Sequence, residues 1–310
     1  MKASNIKPTS LYELGRIYHR QNDLDNALKC VEKGLSSFYE HGERKYSKYY
    51  LLISKVIYLE KMDKNLEANE TLESMWPHLA EINTETQLNM YEMQATIYNK
   101  LDHYEKALKY AETGIDIARR EKNYDRCFEL WTTLGVSYKN LKKPKLAETC
   151  FKTASRFEKK LRKKYLLPTY NYTELGKLYM EEEKMELAEN ILRNAVKLGK
   201  KAKDGLRYYE ALVALGDCLI MQSKEEGLYF LKEALKLVEK LSFAKQEVNI
   251  VLKLAKYYEK KDSIKHNKYF ARFYELSVQL MHGGEEKMLK NNTLSGQLAE
   301  RKTAGDPPDS

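Results

Sequence analysis

The stretch from Trp131 to Ala154 reads WTTLGVSYKNLKKPKLAETCFKTA, and its layout decides the fold. It opens with the spacing W-x2-L-G-x2-Y and continues with alanines 12 and 19 residues after Gly135. The same layout returns 41 residues later in NYTELGKLYMEEEKMELAENILRNA, which covers 171–195 and has Gly176 at the corresponding place. Two copies at a fixed distance predict a protein built from stacked repeats.

Weaker copies of the same layout extend the repeat over most of the chain. Their anchors are small or apolar residues that follow one another at intervals of 39 to 41 residues. The unit around Val56 is the least regular. The anchors are Gly15, Val56, Ala95, Gly135, Gly176, Gly216 and Ala255. A random sequence would not keep this period, so we predict about seven units of about 40 residues.

Each unit is predicted to contain two amphipathic helices, because apolar residues recur at i, i+3, i+4 and i+7. Small anchors allow the two helices to cross closely, and Pro8 and Pro168 suit the first turn of a first helix. Pro77 is expected to end or kink the second helix of the irregular unit. The predicted fold is all-α: a right-handed superhelical solenoid of about seven helix-turn-helix units.

The solenoid domain is predicted to cover 1–284, because His282-Gly283-Gly284 breaks the helical pattern. Residues 285–310 form a polar C-terminal tail, predicted to hold a short capping helix at most and then to be disordered. Apolar side chains in this tail, at Leu289, Leu294 and Leu298, favour packing onto a second chain. We therefore expect a homodimer or a higher oligomer.

Composition excludes several classes of protein. The 310 residues include only 14 Gly and 6 Pro, which excludes collagen-like and low-complexity chains. No apolar run is long enough to span a membrane, and the first residues lack the apolar segment of a secretory signal, so no membrane partner is expected. The 4 cysteines form no CxxC, which is typical of reduced thiols and a cytoplasmic location.

Motifs for catalysis and cofactors are missing from the sequence. The 6 histidines form no HExxH, and neither GxGxxG nor GxxxxGK[ST] occurs. Cys30 and Cys150 occupy the same repeat position, which favours core packing over metal binding. The sequence therefore predicts a protein that is not an enzyme and that has no metal and no cofactor.

The repeat resembles the tetratricopeptide repeat (TPR), whose signature is W-x2-L-G-x2-Y followed by alanines. Units of about 40 residues resemble the peptide-sensing receptors of Gram-positive bacteria, which include Rap, PlcR and NprR. The resemblance covers about 8–281 and points most to the NprR-like TPR sensor domain. It implies a quorum-sensing receptor that binds a short signalling peptide in the concave groove of the solenoid.

Two features of those receptors have no counterpart in this sequence. NprR and PlcR carry an N-terminal helix-turn-helix domain, and Rap proteins carry an N-terminal three-helix bundle, whereas this chain begins in a repeat. We expect either a piece of a longer protein or a form that kept only the sensor. DNA binding is expected only through such a missing N-terminal domain.

Candidate peptide-binding residues follow from the positions of the first helix that face the groove in TPR proteins. Asparagine is favoured there because its amide both donates to and accepts from a peptide backbone. The competing interpretation is an ordinary solvated helix face. The candidates are Tyr12, Arg16, Asn89, Asn99, Thr132, Asn140, Thr173, Lys177 and Asn249.

The leading hypothesis is a cytoplasmic receptor domain in which a signalling peptide changes conformation or oligomerisation and so controls a transcription or sporulation partner. One alternative is a constitutive TPR scaffold for protein–protein interaction. Another is Rap-like binding or inhibition of a response regulator. The net charge of +9 and the basic run over 156–164 favour an acidic partner of that kind, although a basic helix C-terminus is favourable by itself.

Overall fold

The computed structural model describes residues 4–281, and the regular secondary structure within this range is helical, with one isolated bridge between Ser4 and Glu43. Two 3-10 segments, Trp76–Glu81 and Glu158–Lys160, supplement the α-helices. The α-helices form seven consecutive pairs, which confirms the predicted all-α helical repeat. They are α1 (Ile6–Arg20), α2 (Leu24–Ser36), α3 (Tyr46–Lys61), α4 (Asn65–Glu73), α5 (Thr84–Lys100), α6 (Tyr104–Arg120), α7 (Tyr124–Asn140), α8 (Pro144–Ser155), α9 (Leu166–Glu181), α10 (Met185–Ala202), α11 (Gly205–Met221), α12 (Glu226–Leu241), α13 (Ala244–Tyr258) and α14 (263–281).

The turn inside a helix pair has the same backbone form in six repeats. A non-glycine residue with positive φ follows the anchor by seven residues each time, and the next N–H bonds back to the helix, as Lys143 N–H does to the carbonyl of Tyr138 at 2.9 Å. This bond is typical of a Schellman helix end. The left-handed residues are Asn22, Asp63, Asp102, Lys142, Glu183 and Ser223. The turn therefore recurs with the period of the sequence.

The glycine anchors lie where the two helices of a pair are in contact. A Cβ atom at Gly135 would lie 2.6 Å from Cε1 of Phe151, and Phe151 is fully buried. A Cβ atom at Gly216 would likewise lie 2.6 Å from Cδ2 of Leu231. Close crossing of the two helices, which is the predicted reason for the small anchors, is therefore present in the fourth and the sixth helix pair.

The chain divides into two compact units, Met1–Ile191 and Leu192–Ser310. Neighbouring helices of the first unit pack around alanines and larger apolar side chains such as Phe128 and Leu130. The second unit has its own core around Leu212, Leu231 and Leu254. The single domain over 1–284 and the handedness of the superhelix remain predictions, and the predicted tail at 285–310 lies outside the described residues.

Pro77 follows the end of a helix, as its fixed φ and missing N–H require. α4 ends at Glu73, and Trp76–Glu81 continues as a 3-10 segment. The indole of Trp76 donates to the side chain of Gln94 at 2.9 Å and packs against Tyr91. The irregular second repeat is thus completed by the 3-10 segment.

None of the helices within 4–281 combines the length and the apolar character needed to cross a membrane.

All four cysteines are buried and free of disulfides. Burial raises the pKa of the Cys150 thiol to about 12, with a further contribution from the nearby Glu112 carboxylate. These thiols therefore behave as small core side chains.

Candidate functional site

The first helices of the first unit, α1, α3, α5, α7 and α9, lie side by side, each in contact with the next. We call the surface that they share the first-helix face. All but one of the predicted peptide-binding residues lie on these helices, and the exception, Asn249, lies on α13 in the second unit. The first-helix face is therefore the candidate site of the first unit.

Charged side chains join neighbouring first helices across this face. Lys100 on α5 pairs with Glu60 on α3 at 2.8 Å, and Arg126 on α7 pairs with Glu85 on α5 at 3.1 Å. Farther along, Lys142, in the turn that follows α7, pairs with Glu181 on α9 at 3.3 Å. The face is thus largely cross-linked by ion pairs instead of being simply solvated.

The strongest of these links is a buried carboxylate held between two ammonium groups. Glu174 on α9 accepts from Lys139 on α7 at 2.5 Å and from Lys177 on its own helix at 2.7 Å. Burial alone would raise the pKa of Glu174, but the two lysines outweigh it and lower the value to about 2. Glu174 is therefore ionised at neutral pH and fixes α7 against α9.

A second carboxylate, Glu92 on α5, has the opposite electrostatic character. Burial and repulsion from Glu129 raise the pKa of Glu92 to about 7, against the attraction of Arg126. Its hydrogen bond comes from the hydroxyl of Thr96 at 3.2 Å. Arg126 meanwhile bonds Glu129 at 2.7 Å. The face therefore contains one carboxyl group that changes its charge near neutral pH.

Asn99, near the end of α5, leaves one polar atom without a partner. The residue is 8% exposed, and its Nδ2 donates to the Thr133 carbonyl of α7 at 3.4 Å. Its Oδ1 is buried and accepts no hydrogen bond from the residues that the structure describes. An unmade bond of a buried acceptor costs about 1–3 kcal/mol. This side chain therefore has a reason to bind an additional donor between α5 and α7.

Two of the predicted residues, Thr132 and Thr173, are buried in the helix packing. Their side-chain hydroxyls bond carbonyls one turn back, Thr132 to Phe128 at 2.8 Å and Thr173 to Thr169 at 2.8 Å. Thr132 also bonds the fully buried Asn171 of α9 at 3.1 Å. Both threonines therefore support the junctions of the first helices and present little surface.

The other predicted residues are more accessible but do not form one cluster. Tyr12 stacks on Tyr50, with Arg16 against its ring, near the start of the chain. Asn89 bonds its own helix, its Nδ2 to the carbonyl of Glu85 at 3.1 Å. Asn140, at the end of α7, is partly exposed. Asn99 and Asn140, together with the partly exposed Lys177, therefore form the part of the prediction that still offers polar groups along α5, α7 and α9.

The second unit contains links of the same kind. Lys253 on α13 pairs with Asp217 on α11 at 2.8 Å, and the hydroxyl of Tyr209 on α11 donates to the carbonyl of Gln246 at 3.1 Å. Asn249 on α13 is exposed. Cross-linking of neighbouring first helices is therefore a property of both units.

The residues that make these links were not among the predicted ones, apart from Lys177. The sequence did contain a signal for them: opposite charges lie about one repeat apart, at 85 and 126, at 60 and 100, and at 139 and 174.

Between residues 4 and 281, no three side chains of His, Cys, Asp or Glu form a group suited to a metal ion. The predicted lack of enzymatic activity remains a prediction.

The tetratricopeptide-repeat family model matches residues 8–40, 88–121, 128–160 and 170–199. No curated protein matches this sequence. Each matched segment covers most of a first helix and most or all of its partner helix. The chain therefore contains tetratricopeptide repeats at the positions of its first, third, fourth and fifth helix pairs.

Solved structures with the same fold include bacterial peptide-bound proteins. A Rap protein complexed with competence and sporulation factor is 14% identical with a TM-score of 0.67, over 91% of this chain and 78% of that one. NprR in complex with its peptide NprX is 15% identical with a TM-score of 0.66, over 96% and 89%. Aspartyl phosphate phosphatase F from Bacillus subtilis is 14% identical with a TM-score of 0.57, over 90% and 76%.

These similarities define the class of the protein. It is an all-helical repeat protein that contains tetratricopeptide repeats, and its fold is similar to that of the Rap and NprR structures. At this level of identity the likeness concerns the fold alone. The function has to be argued from the chain's own residues.

Proposed function

We propose that the protein is a receptor that binds a short signalling peptide along the first-helix face. The observation that carries the proposal is the unpartnered Oδ1 of Asn99, a buried acceptor between α5 and α7. An extended peptide brings unpaired N–H groups, and one of them would satisfy this oxygen. The peptide-bound Rap and NprR structures, which share the fold, support the proposal.

The ligand is proposed to follow α5, α7 and α9, with Asn140 and Lys177 as further contacts. Asn140 offers both a donor and an acceptor to a peptide backbone. Lys177 offers a charge to a carboxylate of the peptide, in addition to its pairing with Glu174. Tyr12, Arg16, Asn89 and Asn249 remain proposed contacts outside this segment, and the buried Thr132 and Thr173 are proposed to act by shaping it.

Peptide binding is proposed to act through the links between first helices. A peptide that takes hydrogen bonds from α5 and α7 competes with the contacts now holding these helices, and so favours a different spacing. A ligand shifts such an equilibrium only by its difference in affinity for the two states. In this proposal the change of conformation or oligomeric state controls a transcription or sporulation partner in the cytoplasm.

The test is a thermal-shift screen with synthetic peptides that imitate processed bacterial signal peptides. A ligand at 100 times its Kd adds about 2.7 kcal/mol to the free energy of unfolding, and we expect a sequence-selective rise in Tm. Asn99→Ala should weaken the selected peptide at least tenfold. Asn190→Ala removes an exposed amide from the second helix α10 and should leave affinity unchanged. No shift across the peptide set, or equal effects of the two variants, would contradict the proposal.

A constitutive scaffold is the second candidate, and the extensive cross-linking of the first-helix face favours it, because a pre-paired face suits a rigid binding surface. It predicts a stable complex with a folded partner that peptides do not displace.

The basic run over 156–164 keeps the response-regulator alternative open. Measuring the dephosphorylation of a phosphorylated receiver domain, and its binding, separates that alternative from both others.

A further inference from the structure

A groove of about 480 Å³ lies between α6, α7 and α8, formed by two second helices and the first helix between them. Its apolar wall consists of Ile115, Trp131, Leu134 and Leu146. Leu146 is 47% exposed, and Trp131 is partly exposed. This volume lies within the range of small ligand sites, about 300–1,000 Å³. The groove therefore has room and apolar surface for one or two side chains of another molecule.

The rim of the groove is charged. Glu112, Asp116 and Arg119 follow one another along α6 at intervals of four and three residues, and all three line the groove and are exposed. None of the three side chains has a hydrogen bond or ion pair within the described part of the chain. Two unpaired carboxylates one helical turn apart therefore border an apolar surface on a protein whose net charge is +9.

Two other repeats form a tyrosine–glutamate hydrogen bond at the position that corresponds to this groove. Three residues after the anchor, Tyr98 donates to Glu73 of the preceding second helix at 3.0 Å. Tyr179, at the same repeat position, donates to Glu148 of its preceding second helix at 2.8 Å. Tyr138 is the corresponding tyrosine of the fourth pair, and among the described residues its hydroxyl has no hydrogen-bond partner.

Glu112 is the carboxylate in position to complete this pattern. Glu112 and Tyr138 both line the groove, and burial together with the charge of Glu112 raises the pKa of the Tyr138 hydroxyl. The groove lies at the place where the other two repeats form a tyrosine–glutamate hydrogen bond. The hydroxyl of Tyr138, which can donate, and the carboxylate of Glu112, which can accept, therefore lie unpaired within residues 4–281, beside apolar walls.

We propose that the groove of α6, α7 and α8 docks a segment of a protein partner that carries a basic side chain next to an apolar one. The basic group would lie between Glu112 and Asp116, and the apolar side chain would cover Trp131 and Leu146. Charge complementarity selects this chemistry: carboxylates beside an apolar wall attract a cation more strongly than they would in open water. The stem of a lysine or arginine also packs well on an indole ring.

The probe is a fluorescein-labelled, acetylated and amidated peptide of alternating leucine and arginine, with its glutamate counterpart as the matched control. Fluorescence anisotropy measures the Kd of each for the full chain. We expect the arginine peptide to bind at least tenfold more tightly than the glutamate peptide. The double variant Glu112→Gln/Asp116→Asn should lose at least tenfold in affinity, about 1.4 kcal/mol, and Leu146→Asn should also weaken binding.

Two controls place the binding in this groove. Glu105→Gln removes an exposed carboxylate from the same helix outside the groove and should leave the Kd unchanged. Asn99→Ala, on the first-helix face, should leave it unchanged as well, so that failure here is separate from failure of the peptide-receptor proposal. Equal binding of the two peptides, or full binding by the double variant, would overturn the docking site. A dimer in sedimentation that Leu146→Asn dissociates would assign the groove to a second copy and overturn it too.

Discussion

The charge on Glu174 should contribute about 3 kcal/mol to the stability of the first unit. Its side chain is 8% exposed and holds Lys139, whose side chain is 11% exposed. The two lysines lower the pKa of Glu174 from an ordinary 4.5 to about 2, and each pKa unit corresponds to about 1.36 kcal/mol. Glu174→Gln keeps the shape of the side chain but leaves the ammonium of Lys139 without a counter-charge, a loss of about 3–5 kcal/mol in other proteins.

Urea denaturation followed by circular dichroism tests this at several pH values. A carboxyl group with a depressed pKa stabilises the folded state fully above its unfolded value, near 4.5, and this contribution is lost as the pH falls through about 2. The deficit of Glu174→Gln should therefore be about 3 kcal/mol at pH 7 and shrink toward pH 2. The matched control is Glu181→Gln, which breaks the exposed pair with Lys142 and should cost at most about 1 kcal/mol. Equal deficits of the two variants at pH 7, or a deficit independent of pH, would refute the reasoning.

Three further changes test the packing, the electrostatics and the turns. Gly135→Ala places a Cβ atom 2.6 Å from the buried Phe151 ring and should lower the free energy of unfolding by about 1–3 kcal/mol. Adding Phe151→Leu should restore part of this loss, whereas unchanged stability of Gly135→Ala would show that the two helices can move apart without cost. Glu92→Gln should raise stability by about 1–3 kcal/mol at pH 8 and by nothing at pH 4, because the raised pKa of Glu92, about 7, means that its ionisation between these values costs stability; denaturation at both pH values decides. Lys122→Gly relieves a side chain held at φ 52° and should raise stability by about 1 kcal/mol, and a fall in Tm would indicate that backbone freedom in the unfolded chain dominates.

The ion pairs between first helices give the proposed receptor a physical means of responding to a ligand. Lys139 and Glu174 connect α7 to α9, and Arg126 and Glu85 connect α7 to α5. A ligand that inserts polar groups beside Asn99 has to work against these connections. Its effect would be transmitted to both neighbours of α7 because this helix is linked on each side.

The all-α repeat predicted from the sequence is confirmed, whereas the predicted site residues remain predictions. Counting positions from the anchors selected the partly exposed Asn140 and Lys177 and the buried Asn99, whose Oδ1 has no partner among the described residues, and all three remain predicted contacts. The same counting selected Thr132 and Thr173, which are buried. A rotation of part of a turn separates the surface of a helix from its packed side, and a repeat profile does not fix that rotation in units of unusual length.

The sequence by itself determined the helix pairs, their order and their turns. These depend on residues close in the chain: a small anchor, a left-handed residue seven positions later, and apolar side chains repeating along each helix. Only the tertiary structure decided which polar groups are already paired and which remain open. The partner of Glu85 or Glu174 lies a whole repeat away, and whether two side chains meet depends on the spacing and rotation of neighbouring helices. The open Oδ1 of Asn99 is therefore a property of the packed helices and not of the local sequence.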